Sequence, residues 1–124
     1  MVIRVKKAEV SLQDGNIIKV DLNDDVHLQP NDLGEINRAR LQLNCTGKCG
    51  ILLISGNGST ISKETLEMMC DPSHAMNYSA KAIVVNLLAE EYLRDFFKKH
   101  NTDKFPIAVF SSKVQALKWL KEKL

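Results

Sequence analysis

"ILLISGNGSTISKETLEMM", Ile51 to Met69, passes from an apolar strand through two glycines and a run of hydroxyls into a helix. Gly50 to Ser55, "GILLIS", lacks the polar alternation of a half-exposed strand and reads as one covered on both faces of its sheet. From Ser62 the spacing turns helical. Ser62 stands where an N-cap belongs, and Glu64 lies in the first turn, where an acid complements the helix dipole. Pro72 restarts or bends this helix. A buried strand feeding a helix through a short polar loop is the building unit of an α/β sheet, so the question for the rest of the chain is whether the unit recurs.

It recurs towards the C-terminus. Lys81 to Asn86, "KAIVVN", reads as the next buried strand. Leu88, Tyr92, Leu93, Phe96 and Phe97 then mark one face of a helix whose other face carries Glu90, Glu91, Arg94 and Asp95. Phe105 to Phe110, "FPIAVF", is the last strand, with Pro106 arguing for a sheet edge or an entry point. Ser112 to Gln115 fits a capping box, after which Val114, Leu117, Leu120 and Leu124 form an apolar stripe. Trp119 lies beside that stripe as core or rim packing.

Towards the N-terminus the period shortens to that of a strand. Ile3 to Leu12 reads as one strand, "QDGN" at Gln13 to Asn16 supplies the Asp-Gly pair of a tight hairpin, and Ile17 to Leu22 is the return strand. After the polar "NDD" and a short extended piece at Val26 to Leu28, Pro30 opens a helix in which Leu33, Ile36, Arg40 and Leu43 recur at helical spacing. It ends near the Asn44 to Lys48 turn. The expected fold is therefore α/β, a single domain over residues 1–124. It has a mixed, mostly parallel sheet of about five strands, an N-terminal β-hairpin at one edge and about four packed helices. Contacts with ligands or partners are expected at the carboxyl ends of the strands.

Composition narrows the function classes. The chain has 44% apolar and 26% charged residues, values of an ordinary globular protein. Its 17 basic and 15 acidic side chains leave no basic face for a nucleic acid, and Lys98, Lys99 and Lys104 read as a solvated helix end. The longest apolar stretch, Ala82 to Ala89, is interrupted by Asn86, and "MVIRVKKAEV" has no signal-peptide core, so neither export nor a membrane span is expected. The odd cysteine count of three fits a reducing compartment. Cys45 and Cys49 flank the turn "CTGKC", and a zinc site would need Cys70 and His74 brought from another segment without any zinc-ribbon pattern. His27 and His100 have no apparent partners.

The layout, with the stretches "IRVKKAEVSLQDGNIIKV", "ISKETLEMM", "AKAIVVN" and "FPIAVFSSKVQALKWLKEKL", resembles that of STAS domains. More closely, it is similar to a bacterial family of short stand-alone anti-sigma factor antagonist-like proteins, also grouped with SEC14-like folds. The resemblance covers essentially the whole chain and rests on pattern and order of elements. It implies a cytoplasmic, non-enzymatic module without a cofactor that binds a partner protein or a small ligand. In anti-sigma factor antagonists the loop after the third strand leads to a phosphorylatable serine, Asp-Ser-Ser-Gly in pattern. Here Ser62, Lys63, Glu64 and Thr65 fall at that place, so Lys63 stands at the position of the modified serine and Thr65 at that of the glycine.

The candidate site is accordingly Gly56, Asn57, Gly58, Ser59, Thr60 and Ser62. Three readings of its hydroxyls are open: a plain helix cap by Ser62, an anion bound or attached at the helix N-terminus, and a catalytic nucleophile. The last has no support in motif, since there is no G-x-S-x-G elbow, no H-E-x-x-H and no histidine that the order of residues selects as a base. A lone G-x-G also lacks the Lys-Ser/Thr of a phosphate-binding loop. Two functions follow. One is a regulatory protein-interaction module, contacting an unknown partner or a second copy of itself near Gly56 to Glu64 and the helix of Leu66, Met68 and Met69. The other is a carrier or sensor of a small apolar or anionic, lipid-like ligand, built on Tyr78, Tyr92, Phe96, Phe97 and Phe105.

Overall fold

Apolar alternation at the N-terminus builds three short strands, β1 (Val2–Arg4), β2 (Ala8–Gln13) and β3 (Ile17–Leu22). A two-residue strand β4 (His27–Leu28) leads to α1 (Pro30–Arg40). Then come β5 (Cys49–Ile54), β6 (Thr60–Ile61), α2 (Lys63–Cys70), β7 (Tyr78–Val84), α3 (Leu87–His100), β8 (Ile107–Phe110) and α4 (Lys113–Lys123). This is a computed structural model and describes residues 1–71, 78–101 and 105–124. The expectations placed on Pro72, His74 and Lys104 lie outside the described residues.

Among the described residues six strands form one sheet in the order β1-β2-β3-β5-β7-β8, while β4 and β6 pair as a separate two-stranded parallel ribbon. The β1–β2 and β2–β3 pairs are antiparallel, and β3, β5, β7 and β8 run parallel. The extra strand arises where Ile3 to Leu12 reads as one: the chain reverses at Lys6 and Lys7, closed by Val5 N–H donating to Ala8 O at 3.0 Å. Lys7 turns inward there. Its Nζ donates to Asp32 Oδ2 at 2.8 Å and to His27 O at 2.7 Å, tying the turn to the start of α1.

The two faces of the sheet are covered unequally. On one, Val10, Ile18, Val20, Leu53 and Ile83 meet Ile36 and Ala39 of α1, Leu66 and Met69 of α2, and Leu93, Phe96 and Phe97 of α3. On the other, Ile17, Leu52, Ala80, Ala82 and Val84 meet Ala116 and Leu120 of α4, the one described helix in that cluster. Alanines on β7 suit that second face, because their small volume lets the helix approach closely. Beyond α4 this face is polar, with Lys19 paired to Asp21 at 3.5 Å and Arg4 to Glu9 at 3.2 Å.

Several boundaries differ from expectation for local reasons. α1 stops at Arg40, and Leu43 is buried beyond it, past tight turns in which Gln42 and Leu43 N–H donate to Ala39 O and Arg40 O. Asn86 does not end β7; its Oδ1 caps α3 by accepting from Ala89 N–H at 2.9 Å. Leu88 and Tyr92 of α3, and Val114 of α4, are exposed rather than part of the core stripes. Trp119 is half-buried against Phe110, their rings 5.8 Å apart. No described helix is long and apolar enough to cross a membrane.

Candidate functional site

The loop after β5 is braced rather than open. A Cβ on Gly56 would come within 2.6 Å of Asn23 O, so only glycine lets the loop lie against the β3–β4 connection. Asn57 N–H donates to Asp24 Oδ1 at 2.8 Å, and its carbonyl accepts from Asp25 N–H at 2.9 Å. Gly58 has φ +73°, and a side chain there would run into Asp25 Oδ1. Ser59 Oγ donates back to Gly56 O at 2.9 Å, while Thr60 Oγ1 lies 2.6 Å from His27 Nδ1, giving that histidine a partner the sequence does not suggest.

Ser62 is the N-cap of α2, accepting from Thr65 N–H at 3.1 Å. Its hydroxyl also lies 2.7 Å from Thr65 Oγ1, which donates to Leu28 O at 3.2 Å. With the Thr65 proton on Leu28 O, the Ser62 proton goes to Thr65 Oγ1, and both functions of Ser62 are engaged. Ser62→Ala is expected to cost about 1 kcal/mol, the usual worth of such a cap, checked as a shift in urea midpoint.

A cavity of about 380 Å³ opens elsewhere, between α1, α2 and the sheet. Its floor is Val20, Ile51, Leu53 and Ile83; Leu33 and Gly34 of α1 form one wall, and Met68 and Met69 of α2 the other. Tyr78 and Lys81 of β7 line it too. Residues three apart on a regular strand point to opposite faces, but the pairing slips between Cys49 and Gly50, from Tyr78 to Ala80, leaving Ser79 as a bulge. That bulge brings Tyr78 onto the face of Lys81.

Both polar groups are deeply buried. Lys81 is 7% exposed, its Nζ donates to Met69 O at 3.3 Å and lies 5.5 Å from the Phe105 ring centroid. Burial lowers its pKa to about 8, against the opposing pull of Cys70 and Asp71. Tyr78 is 5% exposed, and its hydroxyl finds no hydrogen-bond partner among the described residues. Burial pushes the phenol up to about 12, although the Arg40 guanidinium 5.0 Å from the ring centroid works the other way. The Cys70 thiol is likewise raised by burial.

Cys45 and Cys49 are joined by a disulfide, in place of the free thiols expected, so they are not available as zinc ligands. Among the described residues no cluster of histidine, cysteine or acid could hold a metal ion. His100 stacks on Phe96 at 4.2 Å.

The model of a family described as "Domain of unknown function (DUF7793)" matches residues 10–124. The chain belongs to this family. Among solved structures, the DUF7793 chain is similar to an uncharacterized protein of the DUF3478 family from Shewanella loihica PV-4, which has a SpoIIAA-like fold. The identity is 15%, 91% of each chain is covered, and the TM-score is 0.53. The DUF7793 chain thus has the STAS-like fold that its strand order and helix placement describe. No curated protein matches it.

In this DUF7793 chain the six loop residues come together at the carboxyl end of β5, whereas the cavity residues lie on the helix-covered face of the sheet. Of the aromatics named from sequence, Tyr78 lines the cavity, Phe105 lies near Lys81, Phe96 and Phe97 fill the core and Tyr92 is exposed. Lys81 had a legible signal, a lysine opening a strand otherwise covered on both faces. Gly34 had one as well, a glycine inside a helix. Its added Cβ would meet only Arg38 Nη1, at 3.6 Å, so Gly34→Ala is expected to stabilise the fold by about 0.5–1 kcal/mol in urea denaturation.

Proposed function

We propose that the DUF7793 chain is a non-catalytic, single-domain binding module that holds a small apolar ligand between α1 and α2. The observation that carries this reading is the cavity of about 380 Å³, with mostly apolar walls and the buried Lys81 and Tyr78 of β7 in its lining. Concave apolar sites of about 300–1,000 Å³ with a few convergent polar groups are the usual form of small-molecule sites. Met68 and Met69 on one wall supply unbranched, polarisable side chains that adapt to an occupant. Gly34 on the other keeps that wall thin at a cost in helix propensity.

Native mass spectrometry of protein isolated from its own cells, followed by denaturing organic extraction, tests the proposal. A stoichiometric non-covalent adduct, recovered by extraction and lost in a Gly34→Trp variant that still folds, is the expected result. A bare chain with nothing extractable would count against it.

A second reading, a protein contact at the Gly56–Ser62 loop, is favoured by Leu87 and Leu88, 75% and 93% exposed at the start of α3. Val85 and Asn86, just before them, border the same small recess as Gly56, Asn57 and Gly58. Replacing both leucines by serine should then abolish any self-association seen in sedimentation, or release a co-purifying protein. Unchanged behaviour in both would remove this reading.

A further inference from the structure

We infer that the ligand of the α1–α2 cavity is a carboxylate carried on a single apolar chain, its headgroup held by Lys81 and Tyr78. This rests on the ligand-binding role proposed above and specifies its chemistry.

The polar groups of β7 that line the cavity have more donors than the described residues supply acceptors. Lys81 spends one N–H on Met69 O at 3.3 Å and forms no ion pair among the described residues. The Tyr78 hydroxyl has no partner there, and neither does Nε of Arg40, whose guanidinium covers the Tyr78 ring from outside the cavity lining. A buried cation with unspent donors is costly unless a counter-charge completes it.

Among the described residues no acid is bonded to Lys81. Asp71 follows α2 and its charge favours the Lys81 ammonium, and the Cys70 thiol is held protonated by burial. Glu35 lines the cavity from α1; its carboxylate accepts from Lys6 N–H at 3.3 Å and is not paired with Lys81. With no carboxylate bonded to Lys81 among the described residues, the counter-charge is assigned to the occupant.

The shape of the site selects among anions. One ammonium and one phenol match the two oxygens of a carboxylate. A phosphate is more often met by an arginine fork or a free helix N-terminus; the arginine of the lining, Arg38, is exposed on α1, and at the start of α1 the Asp32 carboxylate already accepts from Gln29 N–H at 2.7 Å. The apolar part of the lining, with Val20, Leu33, Leu53, Met68 and Ile83, suits a hydrocarbon tail, and about 380 Å³ is at the small end for ligand sites, room for one chain rather than two.

Calorimetric titration of the full chain at pH 7 with decanoate, decanol and decylamine tests the inference on wild type, Lys81→Met, Lys81→Gln and Tyr78→Phe. Decanoate should bind at least about tenfold more tightly than decanol, the worth of one charge-assisted hydrogen bond. Both Lys81 variants should lose that advantage while keeping decanol affinity within about twofold, and Tyr78→Phe should lose part of it. Decanol or decylamine binding as tightly as decanoate, or a decanoate advantage that survives both Lys81 changes, would overturn the carboxylate assignment and leave the binding module standing. If none of the three bound to wild type, the cavity reading would fall with it.

Discussion

Lys81→Met is expected to raise the unfolding free energy at pH 7 by on the order of 2 kcal/mol. The native pKa of about 8 lies below the ordinary lysine value of 10.5 because burial disfavours the ammonium. At pH 7 folded and unfolded chains are both protonated, and the folded chain carries the whole penalty, on the order of 3 kcal/mol. Between pH 8 and 10.5 the unfolded chain binds more protons, so native stability rises with pH across that window. Above it the folded amine is neutral and the penalty is gone. Methionine has a similar length and no charge, and its gain is reduced by the lost bond to Met69 O and the lost contact with the Phe105 ring. The gain should accordingly be largest below pH 8 and fade towards pH 10.5, read from urea denaturation at pH 7 and pH 10. A variant less stable than wild type at pH 7 would make Lys81 a structural residue. A stabilised variant that no longer binds carboxylate would mark it as a residue kept for function at the expense of stability.

Asp32→Ala is expected to cost about 3 kcal/mol, in the range for breaking a largely buried ion pair and a helix-start contact together. Asp32 is 8% exposed and joins three parts of the fold: Lys7 of the β1–β2 turn, Gln29 N–H and the first turn of α1. Burial alone would raise its pKa, but the bonds from Lys7 and Gln29 outweigh burial and hold it below 3.8. A carboxylate with a lowered folded pKa contributes stability that is full above its unfolded value and is lost as pH falls through the folded one. Wild type should therefore lose stability more steeply than Asp32→Ala below about pH 4. Equal urea midpoints at pH 7, or parallel acid slopes, would contradict this role for the pair.

Much of the fold is legible because hydrophobic period and turn chemistry agree. "GILLIS" over Gly50–Ser55 becomes β5, Pro30 opens α1, Ser62 and Ser112 cap α2 and α4, and the Asp-Gly pair at Asp14 and Gly15 takes positive φ in the β2–β3 hairpin. The missed β1 was also legible in the parity of the apolar positions. Ile3 and Val5 are odd while Ala8, Val10 and Leu12 are even, so one straight strand would have split them between two faces, and a reversal at Lys6–Lys7 puts them on one. Leu88 and Tyr92 misled because a helical stripe locates a face without saying how far along the helix the sheet still covers it.

The cavity was less accessible to sequence. Lys81 and Gly34 each break a local pattern, but nothing in the sequence announces the bulge at Ser79 that turns Tyr78 towards Lys81, since it depends on how β5 and β7 register. The glycines and hydroxyls of the 56–62 loop draw attention by composition. Most of their hydrogen bonds go to the Asn23–Leu28 segment and to one another, which is work of support.

The most direct test of a ligand site between α1 and α2 is the methyl NMR spectrum of methionine-labelled protein titrated with decanoate. Met68 and Met69 sit on the cavity wall, and Met1 lies at the exposed chain start, 83% accessible, as an internal control. Saturable shifts of the Met68 and Met69 methyls with Met1 unmoved, abolished in a folded Gly34→Trp variant, are the predicted result. Shifts absent from both wall methionines, or unchanged when Gly34 is filled, would contradict it.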